Sequence, residues 1–403
     1  MITIKEINEA RSRLTPALAE TPFAYAPFVS ERTGFNVYFK KENLQNTGSF
    51  KLRGAFNKIA TLSESDRAKG VIASSAGNHA QGVAYSARHF GAESYIVMPE
   101  ATPLLKVNGV KSLGGNVILQ GANYDEAYDC ALSYAKERDL TFIHPFADDM
   151  VMAGQGTLAL EMLEQIGDLD AIISPIGGGG LISGVAVAAR ALKPDIKIIG
   201  VNARGANAMK NSFYAKKLLN SQSVRTIADG IAVKNVSLAT FEYILALVNE
   251  IVEVDDEEIA NAILFLIEKQ KLVVEGAGAV GVAALLHNRV DLKKGAKIGV
   301  ILSGGNIDVT MLSVIIEKGL VKSHRKMLLK VTLIDKPGSL QKLSEALSSV
   351  SANIVHIDYD RTAKALDYGD AYVSVALETK GEEHQNQIRA KLNADGFIYQ
   401  EEA

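Results

Sequence analysis

Residues 43–55 read NLQNTGSFKLRGA and place Lys51 between two apolar residues, directly after a Gly-Ser turn. The pKa of a lysine falls readily when its amine is buried, and a neutral amine can condense with an aldehyde. Many lysines beside apolar residues only lay their stem along an apolar surface and keep the charge in water. Taken alone, these residues favour an ordinary lysine of this kind over a reactive one.

The chain around this lysine alternates between short apolar runs and helical patterns. This alternation predicts an α/β fold in which helices cover a parallel sheet. A helix is also expected over residues 4–19, and Asn123 with Glu126 and Asp255 with Glu258 resemble capping boxes. The expected strands are residues 36–40, 71–73, 95–98, 117–119, 171–173, 198–201 and 298–302.

Three of the expected strands run into turns of small residues that open helices, at residues 74–82, 174–181 and 302–308. In an open α/β sheet, ligands bind beyond the carboxyl ends of the strands. Four consecutive glycines, residues 177–180, would offer exposed amides and a helix N-terminus to a phosphate. Glycines also simply permit tight turns and close packing. The three turns together favour an anion site.

Five motifs stand out, GSFKLRGA at 48–55, SAGNHAQG at 75–82, residues 175–184, EGAGA at 275–279 and SGGN at 303–306. They strongly resemble motifs of the fold-type II enzymes that use pyridoxal phosphate, and among them the threonine/serine dehydratases. The resemblance covers residues 1–320 and implies a catalytic domain of two open twisted sheets, with a smaller inserted subdomain at about 45–145. The first turn lacks the Gly-x-Gly-x-x-Gly spacing of dinucleotide-binding proteins.

The resemblance also implies a role for each residue of the cofactor site. Lys51 would bind the cofactor aldehyde covalently, Phe50 would pack on the pyridine ring, and Asn78 would hydrogen-bond the ring hydroxyl. Ser303 would face the pyridine nitrogen. The amides expected to hold the phosphate are those of Gly177, Gly178, Gly179, Gly180 and Leu181.

The substrate carboxylate is expected on the turn formed by Ser75, Ala76, Gly77, Asn78 and His79. His79 could ligate a metal, but a lone histidine at a helix start is expected to hydrogen-bond locally. Glu275 is left with two interpretations. It is either an acid near the cofactor or a carboxylate that the dipole of the next helix stabilises.

By this resemblance, the reaction is dehydration and deamination of L-threonine to 2-oxobutanoate and ammonia, with weaker activity on L-serine. Lys51 would take the α-proton, and a hydroxyl at Ser303 would leave the pyridine nitrogen unprotonated. The alternatives are a serine dehydratase, another β-eliminating or β-replacing relative such as a sulfhydrylase, and a catalytically silent amino-acid sensor. Isoleucine synthesis and threonine catabolism stay equally open as the metabolic role.

Two departures from the resembling families narrow these alternatives. Serine racemases carry a second serine where Ala76 stands, and alanine cannot reprotonate a carbanion. Racemases and some dehydratases also bind a divalent cation through carboxylates after the strand that is expected to end at Val201. Residues 202–208 read NARGANA and hold no acid, so we expect no metal there.

The composition changes beyond residue 320, where residues 319–326 look like an irregular basic linker. Residues 326–403 follow a β-α-β-β-α-β order, a ferredoxin-like plan. They resemble an ACT domain, and the most telling match is the turn with Asp335, Pro337 and Gly338. The resemblance implies that an amino-acid or nucleotide effector binds near this turn between paired modules, hence a homo-oligomer, a dimer or tetramer. A dimerisation tail without a ligand is the alternative.

The composition excludes several other classes of protein. Of 403 residues, 47% are hydrophobic and 22% charged, and the net charge of −3 argues against a nucleic-acid-binding surface. A single cysteine, Cys130, cannot form a disulfide within the chain. The N-terminus lacks a signal-peptide core, and no apolar run is long enough to span a membrane. We therefore expect a cytoplasmic protein.

Overall fold

The computed structural model describes residues 1–402 and divides the chain into two compact units. The first unit is Met1–Ile307, and the second begins at Asp308. No helix within residues 1–402 combines the length and apolar character that crossing a bilayer requires.

The strands are β1 (Phe23–Tyr25), β2 (Asn36–Lys41), β3 (Val71–Ser74), β4 (Ser94–Met98), β5 (Asn116–Leu119), β6 (Thr141–Phe142), β7 (Ala171–Pro175), β8 (Lys197–Ala203), β9 (Glu250–Val254), β10 (Lys297–Leu302), β11 (Lys326–Ile334), β12 (Asn353–Asp360), β13 (Asp370–Glu378) and β14 (Ile398–Glu402). The α-helices are α1 (Ile4–Leu14), α2 (Pro27–Thr33), α3 (Lys51–Ala60), α4 (Glu64–Lys69), α5 (Asn78–His89), α6 (Leu104–Ser112), α7 (Tyr124–Glu137), α8 (Asp149–Gln165), α9 (Gly180–Leu192), α10 (Ala208–Ala215), α11 (Leu238–Leu247), α12 (Asp256–Phe265), α13 (Gly276–Leu286), α14 (Val309–Lys322), α15 (Ser339–Ser349) and α16 (Glu382–Ala394).

The first unit contains two sheets. The larger has the order β1-β2-β10-β7-β8-β9, and only the edge pair of β1 and β2 is antiparallel. The smaller has the order β5-β4-β3-β6 and is parallel throughout. Its strands lie within the range predicted for the inserted subdomain. The central strands are buried, as expected for parallel sheets covered by helices on both faces.

Close contacts with α8 fix the positions of α3 and α9. Lys51 lies at the N-terminal end of α3, and the four-glycine turn leads into α9. A methyl group on Gly154 of α8 would lie 2.5 Å from the carbonyl oxygen of Arg53 in α3. A methyl group on Gly184 of α9 would lie closer than 3.0 Å to the carbonyl oxygen of Met152 in α8. Because only glycine permits such approach of two backbones, α3, α8 and α9 are packed in one arrangement.

The second unit carries the predicted β-α-β-β-α-β order in β11, α15, β12, β13, α16 and β14. Its sheet is antiparallel with the order β12-β13-β11-β14, as in a ferredoxin-like fold. Alternate residues of β11, from Met327 to Leu333, point into the core with the inner faces of α15 and α16. The predicted fold class is therefore confirmed for both parts of the chain.

The predicted helix over residues 4–19 is too long. The helix ends at Leu14, because Pro16 lacks an N–H group and its ring clashes with the preceding turn. The capping box at Asp255 and Glu258 is present. At Asn123 only half of the box forms, because Glu126 accepts from the amide of Ala122 instead.

Three strands were missed, β1, β6 and β9. Two of them have only two or three residues, too few to show a period. Strand β8 also runs two residues past the expected end at Val201. The predicted irregular linker at 319–326 is wrong for most of its length, since α14 continues to Lys322 and β11 starts at Lys326.

Candidate active site

Main-chain hydrogen bonds bring the Lys51 stretch against the third small-residue turn. The amide of Phe50 donates to the carbonyl oxygen of Ser303 at 3.0 Å, and the amide of Gly305 donates to that of Gly48 at 2.9 Å. Asn306 then reaches the first turn, since its Nδ2 donates to Asn78 Oδ1 at 2.8 Å. Residues from three distant parts of the chain therefore meet at one place, as the strand-end rule predicts.

Lys51 is the first residue of α3, and its Nζ donates to the carbonyl oxygen of Pro145 at 2.8 Å. The same Nζ lies 5.4 Å from the centre of the Phe50 ring. Desolvation of the ammonium group lowers the pKa of Lys51 to about 8, and the carboxylate of Glu275 opposes this shift. A substantial fraction of the amine is therefore neutral, and nucleophilic, near pH 8.

Glu275 is 4% exposed and contacts Asn78, whose Nδ2 donates to Glu275 Oε1 at 2.7 Å and to Oε2 at 3.0 Å. Burial raises the pKa of Glu275 to about 7, and the hydrogen bond from Asn78 opposes the shift. Glu275 precedes α13, but its side chain makes no capping hydrogen bond. Of the two interpretations left open, its position favours the acid beside the site.

The turn at residues 75–79 keeps open space on one side. No atom lies within 4 Å of a methyl group added at Gly77, and Ser75 Oγ accepts from the Gly77 amide at 3.2 Å. His79 is buried, and its Nε2 hydrogen-bonds the carbonyl oxygen of Ile143 at 2.8 Å. Desolvation and the charge of Lys51 lower the pKa of His79 to about 3, so the imidazole is neutral. His79 therefore forms a hydrogen bond, as expected, but its partner lies 64 positions away in the chain and not locally. The role of the turn in binding the substrate carboxylate stays a prediction.

The four-glycine turn is packed on its side-chain face. Methyl groups on Gly178 and Gly180 would lie closer than 3.0 Å to atoms of Phe146, and one on Gly177 would lie 2.9 Å from Ile231 Cα. Gly179, at φ +92°, precedes the first residue of α9. The first N–H groups of a helix have no acceptor within it, so the turn presents backbone amides at a positive helix end.

This donor set fits pyridoxal phosphate. The cofactor needs an amine for its aldehyde and hydrogen-bond donors for its phosphate. Lys51 offers a desolvated amine, and the amides of Gly177–Gly180 and Leu181 offer the donors. Ser303, directly after β10, is 1% exposed, and its carbonyl oxygen accepts the hydrogen bond from the Phe50 amide. Its contact with the pyridine nitrogen, and that of Asn78 with the ring hydroxyl, stay predictions.

Residues 144–146 belong to the same site and were missed in the sequence. They follow β6, whose two residues gave no recognisable strand pattern. Had β6 been found, the rule that ligands bind beyond strand ends would have pointed to them.

The end of β8 and the residues after it, where relatives were expected to hold a cation, are held by the side-chain amide of Asn202. Asn202 Nδ2 donates to the carbonyl oxygen of Ile176 at 2.7 Å, and its Oδ1 accepts from the Lys210 amide at 2.9 Å. Across residues 1–402, no group of three or more His, Cys, Asp or Glu side chains is placed to hold a metal ion.

The pKa of Glu275 predicts a specific pH dependence of stability in protein freed of cofactor. Since the folded pKa of about 7 exceeds the ordinary 4.5, the folded state binds more protons between these values. The free energy of unfolding should therefore fall as pH rises through this window, by up to roughly 3 kcal/mol from this group.

Glu275→Gln should remove this part of the decline, which urea unfolding at pH 4.5 and pH 8 would measure. Exposed Glu31 supplies the control, and Glu31→Gln should leave the pH dependence as it is in the parent. An equally steep decline in Glu275→Gln would mean that Glu275 ionises normally.

Comparison with known proteins agrees with this site. A family model described as pyridoxal-phosphate dependent enzyme matches residues 14–304. The chain is 47% identical to a protein of Thermotoga maritima named L-threonine ammonia-lyase, over 98% of each chain.

Two solved structures are similar to this chain. The structure of maize serine racemase has a TM-score of 0.75 and 37% identity, over 80% of this chain and 99% of that one. The processed form of threonine deaminase isoform 2 from Solanum lycopersicum has a TM-score of 0.74 and 37% identity, over 78% and 87%. The chain belongs to the family of pyridoxal-phosphate dependent enzymes.

Proposed function

We propose that this chain is a lyase that converts L-threonine to 2-oxobutanoate and ammonia, with weaker activity on L-serine. The observation that carries the proposal is the desolvated amine of Lys51, which interacts with the charge of Glu275 and bonds the carbonyl group of Pro145. The next residue, Phe146, packs on the four-glycine turn. The near full-length similarity to a protein named L-threonine ammonia-lyase supports the choice of substrate.

When bound, pyridoxal phosphate supplies an aldehyde that joins to amines and a ring that withdraws electrons from the α-carbon. Lys51 would hold the aldehyde, and the amides of the four-glycine turn would hold the phosphate. The hydroxyl of Thr240 donates to the carbonyl oxygen of Gly178 at 2.7 Å and fixes that turn. Binding and orientation therefore come from rigid backbone and one lysine.

Proton transfer is assigned to Lys51. Its lowered pKa leaves the freed amine able to accept the α-proton near neutral pH, where a base of ordinary pKa 10.5 would stay protonated. The turn at Ser75–His79 would place the substrate carboxylate, with the open space beside Gly77 receiving it. Asn78 would be oriented by Glu275 and Asn306 on either side.

Two side chains favour elimination over the rival reactions. Ser303 offers a hydroxyl where a carboxylate would stabilise a protonated pyridine nitrogen, so a long-lived carbanion is disfavoured. Ala76 has no proton to give to the opposite face, which argues against racemisation. A serine dehydratase is the nearest alternative, and the ratio of rates on the two substrates separates it.

Lys51→Ala tests the assignment. Removing the base and the point of attachment should reduce 2-oxobutanoate formation from threonine by about 10²- to 10⁴-fold or more. Exposed Lys111 supplies the control, and Lys111→Ala should keep the parent rate.

The parent should prefer threonine to serine by roughly 10- to 200-fold, since one methyl group in an apolar pocket discriminates by that much.

Residual activity of Lys51→Ala within about tenfold of the parent would contradict the catalytic role of Lys51. A preference for serine in the parent would make the chain a serine dehydratase.

We further propose that the second unit is an ACT regulatory domain that binds an amino-acid or nucleotide effector near Asp335, Pro337 and Gly338. Gly338 has a φ of +87°, and no atom lies within 4 Å of a methyl group added there. Asp335 accepts from the Tyr359 hydroxyl at 3.0 Å and pairs with Arg361 at 3.3 Å. The turn is thus fixed by its side chains while its glycine backbone is open to a ligand. A homo-oligomer, a dimer or tetramer working in the cytoplasm, completes this proposal.

Gly338→Leu should weaken the response to an effector, because a bulky side chain would fill the open space at the turn. The quantity to compare is the ratio of threonine turnover with and without isoleucine, valine or a nucleotide. That ratio should move toward one, with the effector's half-maximal concentration rising roughly 5- to 150-fold.

Gly338→Ala is the matched control, since it shares the cost of a left-handed backbone but adds only one methyl group. A full response of Gly338→Leu to an effector that regulates the parent would show that this turn is not the effector site.

A further inference from the structure

We propose that His144 is a positioning residue that holds the carbonyl group of Pro145 ready to receive the amine of Lys51. The inference rests on the proposed role of Lys51 in binding the cofactor. It concerns where this amine resides whenever it is not joined to the cofactor.

The imidazole of His144 closes a tight turn in its own backbone. Its Nδ1 accepts from the amide of Phe146 at 3.2 Å and from that of Ala147 at 2.8 Å. Because both partners are N–H donors, Nδ1 carries no proton and the ring is neutral. Desolvation and the charge of Lys51 lower the pKa of His144 to about 4, in keeping with a neutral ring. The two bonds fix the peptide groups on the C-terminal side of Pro145.

Hydrogen bonds also restrain the backbone on the N-terminal side of Pro145 and at its own carbonyl group. The carbonyl oxygen of Ile143 bonds His79 Nε2 at 2.8 Å, and that of Pro145 accepts from Lys51 Nζ at 2.8 Å. Two neutral imidazoles therefore clamp the backbone on either side of the carbonyl group that meets the lysine. Proline, which has no N–H, offers only an acceptor at this point.

The same turn touches the proposed phosphate site. The Phe146 ring and backbone fill the side-chain positions of Gly178 and Gly180. The His144 ring packs edge-on against the Phe146 ring, with centroids 4.7 Å apart. One short segment, Ile143–Ala147, thus contacts both the amine that binds the cofactor aldehyde and the turn assigned to its phosphate.

In the proposed reaction, the fixed carbonyl group of Pro145 would hold the Lys51 amine while it is not bound to the cofactor. The amine of Lys51 leaves the cofactor when the substrate amine replaces it, and must return at the end of each turnover. A long lysine side chain loses much rotamer freedom when it is held in one place. The carbonyl oxygen of Pro145, fixed at hydrogen-bonding distance, would keep the released amine close to the cofactor aldehyde that it must rejoin. A small displacement of a reacting group slows a reaction strongly.

The experiment measures how fast Lys51 captures the cofactor, a quantity separate from threonine turnover. Protein freed of cofactor is mixed with pyridoxal phosphate, reduced with borohydride after increasing times, and digested. The fraction of the Lys51 peptide that carries the cofactor is then read by mass spectrometry.

His144→Phe keeps the ring packing but loses the acceptor, and should slow capture by about 10- to 100-fold. His144→Asn places an amide oxygen near the position of Nδ1 and should capture within about threefold of the parent. His89→Phe makes the same change at an exposed histidine of the smaller-sheet region and should match the parent. In His144→Phe, kcat should fall with capture while KM for threonine changes little, because the carboxylate turn is untouched.

Several results would overturn the inference. Capture by folded His144→Phe at the parent rate would show that the acceptor is not needed, and slow capture by His144→Asn would show that acceptance at Nδ1 is not what matters. If His144→Phe does not fold, His144→Asn alone decides, since its capture must stay near that of the parent. Failure of the parent itself to capture cofactor at Lys51 would instead refute the proposed function.

Discussion

The catalytic unit depends on keeping the amine of Lys51 poorly hydrated without leaving it unpaired. Lys51 is half-buried as a whole residue, but its amine is largely removed from water, and the cost of this desolvation appears as a pKa near 8. The amine is satisfied by one carbonyl group, that of Pro145, and by the more distant charge of Glu275. A carboxylate bonded directly to the amine would have held its proton. An acceptor without charge leaves the amine able to lose it.

The helix that carries Lys51 is anchored by a buried cluster of charges two residues further on. The guanidinium of Arg53 makes two 2.9 Å bonds to Glu42 and bonds to Glu161 at 2.5 and 2.9 Å, and Lys40 completes the set by pairing with Glu161. Removing one member of such a group leaves a charge without its partner, which costs several kcal/mol, typically about 3 to 5. The cluster ties α3 to the end of β2 and to α8. Together with the glycine contacts along α8 and α9, it fixes the position of Lys51 relative to the four-glycine turn.

The sequence predicted the parts of this arrangement that are local. Apolar runs long enough to show a period predicted most of the strands, and the small-residue turns after them indicated an anion site. The roles of Lys51 and Asn78 came from the family resemblance. Strand β6 has only two residues and shows no recognisable strand pattern. Because this strand was not predicted, the Ile143–Ala147 segment that follows it was missed as well. The pairing of Asn78 with Glu275 joins residues 197 positions apart. No sequence motif relates residues so far apart. The sequence therefore left the role of Glu275 open, and only the structure shows that the two side chains are in contact.

The most direct test of this account is a titration of the Lys51 amine in protein freed of cofactor. The pH dependence of its acetylation, measured on the Lys51 peptide against that of Lys111, gives the pKa. The account predicts a value about 8 for Lys51, and a lower one in Glu275→Gln because the carboxylate that favours the charged amine is gone. A Lys51 that titrates near the ordinary 10.5, as an exposed lysine does, would contradict the claim that the site is built around a desolvated amine.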